Sequence, residues 1–261
     1  MCMINMPEPT PIEALSNLIS VLEDIKIRKG SAFASAMGRR VSIPALRREF
    51  FNLMFGAHAL QKVVDDCEPG KVLDIGSGEG LHSDAFVRHG WGVTAIDLGR
   101  SALFQKGSGH EAIVDDFNYY DFFDDFDCVW ACHVLEHQLR PHDFLRKCNM
   151  VCREGGTIAV TVPPYKSEIV GGHVCLWNAG LLLYHLVLAG FDCAEAKVLE
   201  YDYNVSVIVR KRSIDILGGQ VFDSGDIRRI KAFLPPSIDY RTNPEDEPFE
   251  GDIKELGWDK K

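Results

Sequence analysis

No stretch of this sequence is both long and apolar enough to span a bilayer. The longest apolar run, around Leu181 to Leu188, is too short and carries His185 within it. Nor is there an excess of positive charge. Lys and Arg total 28 against 38 Asp and Glu, a net charge of −10, so long nucleic acid is disfavoured as a partner, because such partners ask for a broad basic face. The small basic clusters Arg39-Arg40, Arg47-Arg48 and Arg228-Arg229 with Lys231 read as solvated surface. None of the eight cysteines stands in C-x-x-C spacing, and Cys128, Cys148 and Cys152 fall on expected core faces, so free buried thiols are expected. The opening MCMINMPEPTP lacks a basic start followed by an apolar run, so no signal peptide is expected, and with the free thiols this places the protein in the reducing cytoplasm. No internal repeat is evident. Hydrophobic residues at 46% and charged residues at 25% are ordinary globular values, and 261 residues suit one large domain with additions.

What the sequence does contain is a glycine-rich turn between apolar segments. Val72, Leu73 and Ile75 around Asp74 read as a buried parallel strand, and Gly76, Gly78 and Gly80 form the turn that follows. Glycines there permit positive φ and close approach of a ligand, and the next helix offers its free N–H groups. A second strand ends in Asp97, about twenty residues after the first glycine, where a carboxylate can accept both hydroxyls of a ribose. The pair describes a site for an adenosine-containing cofactor. The nicotinamide and flavin fingerprint asks for G-x-G-x-x-G, whereas this chain reads G-x-G-x-G with Leu81 in place of the last glycine. An acid within the strand, Asp74, also sits badly beside a pyrophosphate and well beside a cationic amino-acid group.

These residues resemble the first motif of the class I S-adenosylmethionine-dependent methyltransferases, (V/L)-L-D-x-G-x-G-x-G, and the resemblance extends over about Val72 to Lys211. It implies an α/β fold with a doubly wound, seven-stranded, mostly parallel sheet. The periodicity agrees: strands at Lys71–Ile75, Gly92–Ile96, Glu111–Val114, Phe126–His133, Gly156–Val162, Cys193–Leu199 and Asn204–Val209 alternate with helices, the last two close enough to form a hairpin. The helices fall at Leu81–His89, near Ser101–Phe104, at Pro141–Cys152, and from Asn178 to Gly190. Two helices, Ile12–Ile27 and about Pro44–Val64, precede the first strand and either roof the active site or simply pack. The expected organisation is an N-terminal helical cap over 1–65, a cofactor-binding domain over 66–211 and a C-terminal extension over 212–261. The extension resembles tails of bacterial methyltransferases encoded with surface-polysaccharide genes, or it is a strap that packs Phe233, Phe249 and Trp258 onto the domain.

The resemblance also implies roles. Backbone amides of Gly76, Ser77, Gly78 and Gly80 would meet the methionine part of the cofactor, with Asp74 toward its ammonium group. Asp97 would take the ribose hydroxyls and Leu98 would lie against adenine. Asp115 or Asp116 would accept from the adenine amino group, with Phe117 against the ring; alternatively one of these acids caps a turn. Ala131, Cys132 and His133 would border the methyl-donating sulfur.

For chemistry the segment His133-Val-Leu-Glu136-His137 stands out, since a helix would put its three polar residues on one face. In one reading His133 or His137 is a general base. In another, His133, Glu136 and His137 hold a divalent ion (magnesium, manganese or zinc) that acidifies an acceptor hydroxyl. The second is similar to the Glu-x-x-Glu-His cluster of ubiquinone-pathway O-methyltransferases and small-RNA 2′-O-methyltransferases, and the RNA enzymes add a further histidine after the fifth strand. His173 corresponds to that histidine, and His133 replaces the first glutamate. A purely structural role is the third reading. Tyr165, His173 and Trp177 are expected to line the acceptor pocket, although Trp177 equally suits a core anchor. The resulting expectation is O-methylation of a small-molecule or glycan hydroxyl. The alternatives are an RNA-end 2′-O-methyltransferase and a non-catalytic cofactor-binding scaffold.

Overall fold

A computed structural model describes residues 43–100, 104, 110–215, 220–240 and 247–259. The expected helices at 12–27 and near 101–104 lie outside these residues, apart from Phe104 itself. Four parallel neighbours, β3 (Glu111–Val114), β2 (Gly92–Asp97), β1 (Lys71–Ile75) and β4 (Phe126–Cys132), are followed by parallel β5 (Cys152–Val162). The antiparallel pair β7 (Asn204–Arg210) and β6 (Lys197–Tyr201) continues the sheet, and β8 (Glu255–Leu256) ends it, in the order β3-β2-β1-β4-β5-β7-β6-β8. Among the described residues the sheet therefore has eight strands where seven were expected. The eighth comes from the C-terminal extension, two residues that pair with β6 at Val198 and Leu199 and have no periodicity to betray them.

Helices α1 (Ala57–Asp66), α2 (Leu81–Arg88), α3 (Pro141–Val151) and α4 (Ala179–Leu188) link or flank these strands, and short α5 (Asp226–Ile230) lies in the extension. β1 is buried from Val72 to Ile75 because α/β layering covers both faces of the central strands, so its residues need not alternate with polar ones. The order in which successive strands are added reverses between the parallel neighbours β1 and β4, which opens a crevice at their carboxyl ends.

Three local expectations are corrected. The helix expected over 44–64 is broken: a 3₁₀ turn at Arg48–Phe50 is separated from α1 by Gly56 at φ +66°. A Cβ on Gly56 would lie 2.7 Å from Cys132 Sγ and 3.0 Å from Trp130, so the break lets backbone press against β4. β6 begins at Lys197 rather than Cys193, because Asp192 Oδ1 accepts the Ala194 N–H (2.9 Å) and holds a turn there. β5 starts four residues early, at Cys152.

The extension packs as a strap. Trp258 is buried, and Phe233 and Phe249 rest against the main core. The seven described cysteines are unpaired, and burial pushes the thiols of Cys128, Cys132 and Cys148 well up and that of Cys152 up to about 12. No helix of the described residues is long and apolar enough to cross a membrane.

One strap contact is between backbones: Gly180, in the first turn of α4, donates its N–H to the Gly251 carbonyl (2.9 Å). A Cβ at Gly180 would stand 2.6 Å from Gly251 Cα. Gly180→Ala is therefore expected to lift the strap and cost about 1–3 kcal/mol, as overpacking does. A lowered melting temperature with new protease cleavage after residue 240 would show it; an unchanged pattern would show that the strap accommodates the methyl group.

Candidate active site

A cleft of about 870 Å³ opens at the carboxyl ends of β1, β2 and β4. Gly76 (φ +70°) and Gly78 (φ +52°) form its floor. A side chain on Gly76 would drive into Val134 at 2.4 Å, whereas one on Gly78 would meet nothing within 4 Å, so the space beside the Gly78 Cα is open. Gly80 and Ser77 shape the turn, with the Gly80 N–H donating to the Ser77 carbonyl (2.8 Å), and neither lines the cleft.

Asp97 is pre-oriented. Its Oδ2 accepts the Gly78 N–H (3.0 Å) and its Oδ1 the Gly99 N–H (2.7 Å), so the acid at the end of β2 is tied to the loop after β1. Leu98 beside it is half exposed and lines the cleft. Asp115 and Asp116 also line it, and the turn-capping alternative holds at the same time. Asp115 Oδ1 accepts the Asp116 N–H (2.7 Å), and Asp116 Oδ1 accepts the Asn118 N–H (2.9 Å) and side-chain amide (3.0 Å). Phe117 borders the cleft but is mostly buried, packed edge-on against Phe144 with centroids 5.1 Å apart.

Besides Ser77 and Gly80, two more expected cofactor residues stand back from the cleft. Asp74 is 1% exposed and turns toward α2, where Ser83 Oγ donates to it at 2.6 Å; burial pushes its carboxyl up. Cys132 lies behind the wall, close to Gly56.

The other end of the cleft carries His133 and His137. The segment is helical only as a 3₁₀ turn at Leu135–His137, and His133 precedes it with φ +55°, a left-handed conformation that costs an L-residue of order 1–3 kcal/mol. Glu136 is fully buried, neither carboxylate oxygen has a hydrogen bond, and Oε1 lies 3.1 Å from His133 Nδ1 and 3.8 Å from His137 Nε2. The Glu136 carbonyl accepts the Val174 (2.8 Å) and Cys175 (3.2 Å) N–H groups and so draws the loop after β5 against the 3₁₀ turn. That brings in His173: one ligand atom each from Glu136, His137 and His173 lie within 4.8 Å of one another. His133 is not part of that group.

His137 Nδ1 lies 2.8 Å from the Gly172 carbonyl, which can only accept, so Nδ1 carries the proton and Nε2 presents its lone pair. Phe55, Tyr203 and Asn204 escaped sequence reading. Phe55 and Tyr203 stack around His133 with centroids 4.2 and 5.9 Å away, and Asn204 Oδ1 is 3.1 Å from its Nε2. No local pattern marks these residues, which are 78, 70 and 71 positions from His133; rather, Phe55 is adjacent to the Gly56 break, Tyr203 sits in the β6–β7 turn and Asn204 opens β7. Of the expected acceptor wall, Tyr165 is exposed, whereas Trp177 is buried against His185 (5.1 Å), the anchor alternative.

Fold and crevice together define an α/β cofactor-binding domain with a polar, histidine-bearing far wall. Residues 73–160 match the methyltransferase domain family. A ubiquinone biosynthesis O-methyltransferase of Glaesserella parasuis is 32% identical over 124 residues, 41% of this chain and 52% of that protein. One from Pseudomonas aeruginosa is 33% identical over 97 residues, 34% of this chain and 42% of that protein. The chain thus spans about half the length of these curated relatives. Among solved structures, the 1,6-didemethyltoxoflavin-N1-methyltransferase of Burkholderia thailandensis, with bound 1,6-didemethyltoxoflavin and S-adenosylhomocysteine, shares the fold at TM-score 0.51 and 17% identity, covering 80% of this chain and 94% of its own. Residues 73–160 are thus similar to a methyltransferase domain, and the sheet shares the fold of a methyltransferase of known structure.

Proposed function

We propose that the protein transfers the methyl group of S-adenosylmethionine to a hydroxyl oxygen of a small molecule or glycan. The observation that carries this reading is one continuous cleft with a nucleoside-ready end (Gly76, Gly78, Asp97, Leu98) and a histidine end (His133, His137). The names of the curated relatives support oxygen as the acceptor atom. In the reaction the acceptor oxygen attacks the methyl carbon in line, the carbon–sulfur bond breaks, and S-adenosylhomocysteine leaves with the bond pair on sulfur. The donor is already activated, so the protein's work is alignment and removal of the hydroxyl proton.

Asp97 would hold the ribose, leaving the sulfonium near the ends of β1 and β4. His137 Nε2, with its tautomer set by Gly172, is the atom suited to receive the acceptor's proton. The residues also fit a divalent ion. Glu136 is a buried carboxylate without hydrogen bonds, and it converges on two imidazoles. Glu136, His137 and His173 would hold the ion, which would bind and acidify the acceptor hydroxyl. Two nitrogens and one carboxylate suit manganese or zinc better than magnesium, which prefers oxygen ligands.

Incubating the protein with radiolabelled donor and sugar nucleotides, phenolic acids or short RNA tests the reading. Label is expected in the hydroxyl-bearing small molecules and not in RNA, given the net charge of −10. Label confined to RNA would promote the 2′-O alternative, and cofactor binding without label in any acceptor would favour the scaffold.

A further inference from the structure

We infer that Lys166, seated on the ring of Tyr203 beside His173, receives an acidic group of the acceptor, so that the molecule methylated is a small anionic hydroxyl compound, a carboxylate or a phosphate. This rests on the methyl-transfer reading above and narrows its acceptor.

The backbone brings these residues together from two directions. β5 ends at Val162, opposite Val205 of β7, and Pro163-Pro164 stop the strand there because neither can donate to a ladder. The chain then passes Tyr165 and Lys166, both exposed. From the other side, Asp202 and Tyr203 make the tight turn between the paired residues Tyr201 and Asn204, with Asp202 at φ +46°. Tyr203 is thereby presented at the same edge. Its ring stacks on His133 at 5.9 Å between centroids, and on it rests Lys166 Nζ, 4.2 Å from the ring centre.

Lys166, His173 and Tyr203 line one small hollow, whose apolar wall includes Pro164, Val170 and Leu176. Glu168 borders the same hollow, yet among the described residues no carboxylate pairs with Lys166. The ring covers one side of the ammonium and takes none of its three N–H donors, which stay available to an acid oxygen. The hollow holds about 10 Å³, space for roughly one water-sized atom, so an oxygen of the acid enters while the acceptor's skeleton lies outside it. His173 then sets the distance to the chemistry, since it joins Glu136 and His137 in one group. In a chain of net charge −10 an anion needs a local cation to bind. A single lysine suits a single acid group rather than a phosphodiester chain, which asks for a broad basic face.

The test uses the full chain and matched acceptors that differ only in the acid: a dihydroxybenzoate with its amide, and a hexose phosphate with the free hexose. Binding to the S-adenosylhomocysteine complex is measured by calorimetry, and transfer with radiolabelled donor. In at least one pair the acid is expected to bind about 10-fold more tightly and to show a KM lower by the same factor, the worth of one hydrogen bond to a charged group. Which pair shows the gap tells carboxylate from phosphate. Lys166→Gln should close that gap through KM rather than kcat, by bringing the acid down to its neutral partner. Lys166→Arg, which keeps a cation, should retain most of it. Equal binding and transfer of acid and neutral partner in both pairs would overturn the proposal and leave methyl transfer standing. A gap that survives in Lys166→Gln would overturn it too, by placing the acid elsewhere. Label in no acceptor would remove the methyl-transfer reading and this one with it.

Discussion

Asp97→Ala is expected to leave the protein folded and to remove most of the stabilisation that S-adenosylhomocysteine gives the parent. A ligand at 100 times its dissociation constant stabilises a native state by about 2.7 kcal/mol. Two charge-assisted hydrogen bonds to ribose hydroxyls contribute roughly 1.5–3 kcal/mol each, so losing both weakens binding by at least about 100-fold. At the same ligand concentration only about 0.4 kcal/mol would then remain. The loop suffers as well, since Gly78 and Gly99 lose the acceptor of their N–H groups, and Gly78 forms the floor of the cleft. Differential scanning fluorimetry with S-adenosylhomocysteine, and with NADH as control, makes the measurement. A full shift in the variant would remove Asp97 from the cofactor site, and stabilisation of the parent by NADH alone would overturn the cofactor assignment.

The second large effect concerns Glu136. Glu136→Gln should cut turnover by about 10²-fold or more while leaving the S-adenosylhomocysteine shift in place. Excess chelator should bring the parent to the same level, and manganese should restore the parent but not the variant. Stability should move the other way. A buried carboxylate without hydrogen bonds costs free energy, and a glutamine in its place buries no charge. In metal-free buffer Glu136→Gln is therefore expected to melt at or above the parent, and on addition of manganese the parent should overtake it. A parent that keeps full activity in chelator would remove the ion and leave His137 as base. A variant that melts far below the parent without metal would mark Glu136 as a structural group.

The cofactor end of the cleft was legible because its determinants are local. A run of branched apolar residues, three glycines and a second strand ending in an acid all lie within about 26 residues, from Val72 to Asp97. The histidine end was legible only in part. Glu136, His137 and His173 were recognisable as residue types at suggestive places, but the equal standing given to His133 could not be resolved. Its helical spacing to Glu136 and His137 looked like a shared face, whereas the chain turns left-handed at that point and the ring lies between Glu136 and Asn204. Trp177 shows the same ambiguity: an aromatic residue before a helix serves a pocket or a core equally well until its burial is known.

The sequence by itself determined the alternation of strands and helices, the glycine turn and the acid that answers it, since each depends on periodicity or on the conformational freedom of one residue. Only the tertiary structure decided which side chains meet. Asn204 reaches His133 from 71 positions away, Gly172 sets the His137 tautomer from 35 positions away, and β8 exists because β6 leaves it an edge to pair with. Such contacts form when the sheet and its loops close, and their energy comes from pairing buried polar groups that no local pattern records.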